Sequence, residues 1–158
     1  MGYAERLEMT RLMRRRPAAP WLLGAVLALM LAGATLSALP GPIGGVLYGA
    51  SLVLLAAWLV VFDIARRTVF AEGLGRYMAV CLLGGYAWLA VAGGAWIATA
   101  LGMPLRDAAL HALGLGFVFS MMMGHAPVIL PAVARVKLQF GNFFYVPLAA
   151  LHLSLALR

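Results

Sequence analysis

The stretch VLYGASLVLLAAWLVVFDI, Val46 to Ile64, runs for nineteen residues with one charge, Asp63, beside its end. About 20 consecutive apolar residues match the hydrocarbon core of a bilayer when they are helical. In lipid the backbone must satisfy its own hydrogen bonds, and a helix does so within one segment. Four further blocks repeat the pattern: Trp21 to Leu39, Tyr77 to Leu101, Ala108 to about Ala134, and Phe143 to Leu157. The sequence therefore predicts an all-α fold, an integral membrane bundle of five transmembrane helices over residues 21–158, preceded by a basic segment, residues 1–20.

Composition excludes the other classes. Of the 158 residues, 65% are apolar and 11% charged, whereas a soluble domain carries about 25% charged residues. The blocks do not alternate with period two, so a membrane β-barrel is not indicated. The first block is too long for a cleavable signal peptide and is followed by further spans.

Charge placement gives a direction. Arg6, Arg11, Arg14, Arg15 and Arg16 precede the first span, Arg66, Arg67 and Arg76 lie between the second and third, and Arg135 and Lys137 between the fourth and fifth. Arg106 and Arg158 fall on the other side. The positive-inside rule places the N-terminus in the cytoplasm and the C-terminus outside. The net charge of +7 has this topogenic origin. No folded basic surface is left for a nucleic-acid partner. Residues 2–16 interleave Leu7, Met9, Leu12 and Met13 with charges, a pattern open to an interfacial helix or a plain basic tail.

The connections are equally readable. Pro17 and Pro20 mark a break before the first span, and Pro40-Gly41-Pro42-Ile43-Gly44-Gly45 makes a tight external hairpin. Asp63 stands within one turn of Arg66 and Arg67, where an ion pair is expected. Helices in lipid associate through close backbone packing. Two small-residue stripes, Ala90-Gly94-Ala98 and Gly116-Ser120-Gly124, could hold the bundle together or dock another subunit.

Chemistry-bearing residues gather in the second half. Intramembrane histidines are expensive and point to function, and His111, His125 and His152 are all there. His111 and His125 are 14 residues apart, about 21 Å of helix and nearly one face, which is similar to the helices of cytochrome b-type proteins. His111 and His152 are expected at one depth on antiparallel neighbours, where two imidazoles could hold a b-type haem packed by Phe117, Leu148 or Trp96. Met121, Met122 and His125 offer thioether and imidazole ligands one turn apart, a set suited to copper. Pro127 and Pro131 free carbonyls one turn earlier. The Gly124 to Pro127 stretch then becomes a bent, polar spot inside the bundle.

Catalytic kits are missing. No phosphate-binding glycine loop, His-Glu-x-x-His or nucleophile with a base occurs, so no catalytic activity is expected of this chain alone. Cys81 reads as a small buried apolar residue. The five acidic residues supply no deep intramembrane carboxylate path for a pump.

The run from His111 through Gly116-Phe117, Met121 to Pro127 and Pro131, then Tyr145, Pro147, His152 and Arg158, resembles the histidine-bearing helices of NnrS-like and haem-copper-oxidase-related bacterial membrane proteins. The likeness covers about 48 residues. This chain lacks the histidine-rich set of an oxidase centre. What the likeness implies is a multi-pass subunit of the bacterial inner membrane that binds haem or accompanies a haem protein. Other membrane subunits, and a quinone or soluble electron carrier, would be its partners. A cofactor-free scaffold docking through the small-residue stripes, or a copper-handling protein using Met121, Met122 and His125, are the alternatives.

Overall fold

A computed structural model describes residues 18–135 and 139–157. The basic stretch before Ala18, with its interfacial-helix reading, lies outside the described residues, as does Lys137. Four helices are long and apolar enough to cross a membrane: α1 Ala18–Leu36, α2 Ile43–Phe62, α4 Gly73–Ala100, and the continuous run Arg106–Pro131. A short helix, α3 Ala65–Thr68, fills the corner between α2 and α4. The fourth run is composite: α5 Arg106–His111, a π-helix Ala112–Phe119, and α6 Ser120–Ala134. The fifth expected span is shorter than the others: a 3₁₀ turn Asn142–Phe144 leads into α7 Tyr145–Ala156, an apolar helix with twelve residues.

Helix ends follow local chemistry. α1 begins at Ala18, so Pro20 sits in its first turn, where the missing N–H costs nothing. It does not break the chain there. Gly41, at φ 120°, makes the turn after α1, and α2 starts two residues later. α6 contains Pro127 and Pro131 and stops at Arg135, a residue at φ 53°.

Close backbone approach through small residues holds the helices together. On α2 and α4, Gly49 and Gly93 face each other so closely that a Cβ on either would lie 2.6 Å from the other's carbonyl oxygen. Trp58 of α2 donates its indole N–H to the Ala19 carbonyl at 3.0 Å, anchoring α1. Along the composite run, a Cβ on Gly116 would lie 2.5 Å from the Trp88 side chain, Gly85 receives Phe117 and Ser120, and Gly124 lies against Cys81. The Gly116-Ser120-Gly124 stripe is thus consumed inside the chain. Gly94 of the other stripe is exposed with open space before it.

Two expectations are corrected here. Asp63 does not turn to Arg66 or Arg67: its carboxylate accepts from the Tyr86 hydroxyl and from the Ala65 amide at 3.3 Å. The reason is position. Asp63 ends α2 in an extended conformation, which aims it at α4 while both arginines are exposed. His125, in turn, is exposed and does not lie in a polar spot inside the bundle. Gly124 and Pro127 take the buried side, and about 100° of rotation per residue carries His125 outward.

Candidate functional site

The three histidines have three separate surroundings. His152 rides on α7, which runs alongside α4: Tyr145 stacks edge-on against Tyr77 at 5.2 Å, and Leu148 is buried with Tyr77 and Cys81. One further turn along, the Trp88 indole donates to His152 Nδ1 at 2.6 Å. The rings are nearly coplanar, 7° apart with centroids at 6.3 Å. Gly84 makes room for this pair, since a Cβ there would lie 3.0 Å from His152 Cε1 and Nε2. Because Nδ1 accepts, the neutral ring carries its proton on Nε2, against Gly84.

His111 belongs to the first turns of the fourth run. Its Nδ1 meets the Asp107 carbonyl at 2.8 Å and the Asp107 carboxylate at 3.3 Å. These are contacts one turn back along its own helix.

The structure does not bring His111 and His152 together. The antiparallel seam sets Gly116 against Trp88 and Gly124 against Cys81. Continued back to His111, this register makes His111 level with about Gly93, while His152 lies between Gly84 and Trp88. His152 also presents N–H, not a lone pair, on the nitrogen that would face a metal. The side chains expected around a shared ring are dispersed as well: Trp96 packs edge-on with Tyr48 at 5.2 Å, Phe117 joins the α2–α4 core, and Leu148 lies below His152. In this arrangement the two rings hold different partners, Asp107 for His111 and Trp88 for His152. α7 lies against the π-helix of the fourth run and also reaches α4 through Tyr145 on Tyr77 and His152 on Trp88.

Met121, Met122 and His125, by contrast, share one place. They line an open groove of about 420 Å³ on the outer flank of α6, with Ala126, Ile129 and Leu130 completing it. The His125 Nδ1 lies 2.7 Å from the Met121 carbonyl oxygen. A carbonyl only accepts, so Nδ1 carries the proton and Nε2 keeps its lone pair. The rest of the wall is apolar. Among the described residues, no group of three or more His, Cys, Asp and Glu side chains is placed to hold a metal ion.

Sequence reasoning missed Trp88 and Gly84. Their i, i+4 spacing on one face of α4 was the available signal, with a small residue making room for a ring beside a donor. Cys81 is buried and unpaired in a disulfide, as its apolar setting suggested.

No curated protein matches the chain, and no solved structure does. A family model described as a domain of unknown function, DUF8744, matches residues 3–158. The chain belongs to that family.

Proposed function

We propose that this chain is an auxiliary integral membrane subunit, five spans with the N-terminus inside, that docks into a larger respiratory or electron-transfer assembly through the outer flank of α6. One observation carries the reading: an imidazole stands exposed on a flank otherwise composed of Met122, Val128, Ile129, Leu130 and Val133, each about half exposed or more. A polar ring facing lipid is costly, and a covering chain with a hydrogen-bond donor for Nε2 removes that cost. The large apolar area beside it suits a membrane partner's helix. The likeness of residues 111–158 to haem-copper-oxidase-related bacterial proteins supports a respiratory partner in the inner membrane. No catalytic step is assigned to this chain.

The test is extraction of native membranes in mild detergent. The wild-type chain is expected to elute in a particle larger than itself that carries cytochrome absorbance. Ile129→Trp, a bulky apolar change that lipid accepts and close helix packing does not, is expected to release it. Elution of the wild type as a free chain, or indifference to Ile129→Trp, would sink the reading.

A further inference from the structure

We infer that Met121, Met122 and His125 form a binding site for a soft monovalent metal ion, copper(I) being the physiological member of that class. The Nε2 lone pair of His125 serves either the ion or a docked partner's donor, so the site belongs to the chain when no partner covers this flank, and it goes beyond the docking role proposed above.

The ligand set is defined by the helix. Met121 and Met122 stand four and three residues before His125, the spacings that put side chains on one flank. All three line the same groove. His125 is oriented as ligating histidines are: one ring nitrogen donates to a backbone carbonyl, at 2.7 Å, which fixes the tautomer and leaves the other nitrogen's lone pair for the ion. Two thioethers and a neutral imidazole favour a soft ion such as Cu(I). Calcium, magnesium and manganese want oxygen ligands, and the groove's lining residues bring no side-chain oxygen.

The level of the site follows from the helix seam. Gly124 meets Cys81, two turns into α4 from Gly73, so the groove lies toward the end of the bundle where α4 begins. The groove is open on its outer side.

The experiment uses the full chain in phospholipid nanodiscs, without any partner. Copper(I) is titrated against a colorimetric chelator, and silver(I) serves as a redox-silent probe with the methionine methyls labelled for NMR. One equivalent is expected to bind, shifting the Met121 and Met122 methyl resonances and leaving Met30 and Met78 in place. Met121→Leu/Met122→Leu, which keeps the packing, and His125→Phe are each expected to weaken binding by about tenfold or more. His111→Phe is expected to bind as wild type. Circular dichroism confirms that each variant is folded. Absence of one-equivalent binding, or binding unchanged in both groove variants, overturns the site. Because no partner is present, either result is independent of the elution test of docking.

Discussion

The indole of Trp88 donates to Nδ1 of His152 at 2.6 Å across the contact between α4 and α7. This bond fixes the height and tautomer of the one histidine that lies against the bundle's central helix, and Gly84 leaves the room for it. A short apolar helix with only Leu148 fully buried thereby gains a specific polar attachment. His152→Ala and Trp88→Phe should each destabilise the protein, and the double variant should cost less than the two together. Interhelical hydrogen bonds in membranes couple by about 0.6 kcal/mol on average and up to about 1.7 kcal/mol. A double-mutant cycle read by denaturation in mixed micelles measures this directly, and a coupling of zero would remove the bond from the account.

Adjacent glycines on α4 should behave oppositely. A Cβ on Gly93 would meet the Gly49 backbone at 2.6 Å, whereas Gly94 has nothing within 4 Å. Gly93→Ala must push α2 away, an overpacking cost of about 1–3 kcal/mol. Gly94→Ala should be neutral or stabilising by up to about 1 kcal/mol through helix propensity. The same denaturation assay checks both, and equal effects would contradict the observed helix seam.

Four long apolar helices were legible in the sequence because apolar length is a property of single helices. Val46 to Ile64 became Ile43–Phe62 and Tyr77 to Leu101 became Gly73–Ala100, shifts of four residues at most. Facing and depth were less legible because they are relations between helices. The Ala90-Gly94-Ala98 stripe was one residue off the true contact, which uses Gly93 against Gly49. His125 sits beside Gly124 in sequence yet is exposed where Gly124 is buried. The sharing of one flank by Met121, Met122 and His125 was legible, since i, i+3 and i+4 neighbours are fixed within one helix. The Trp88 partner of His152 was not, since it depends on how α7 packs against two neighbours at once.

Asp63 and Tyr86 tie the corner after α2 to α4, and the surface arginines do not take part. Tyr86→Phe should therefore cost about 1.5–3 kcal/mol, the range for a hydrogen bond to a charged group. Arg66→Ala and Arg67→Ala should each lie within about 0.5 kcal/mol of wild type. Comparing the unfolding midpoints of the three variants decides between this bond and the ion pair that the sequence suggested. A large loss in either arginine variant with none in Tyr86→Phe would reverse the assignment.

The alternation of loops implies a sidedness that labelling can read. Leu39 and Met103 follow α1 and α4 and are well exposed, and Phe70, 87% exposed, follows α3 on the opposite side. With Cys81 replaced by alanine, single cysteines at these positions report which loop meets which compartment. If the basic loops face the cytoplasm, a membrane-impermeant maleimide applied to spheroplasts should modify the cysteines at 39 and 103. The cysteine at 70 should react only after the membrane is opened. Reaction at 70 alone in intact spheroplasts would invert the topology, and labelling at 39 without 103 would mean that α2 and α4 do not both cross.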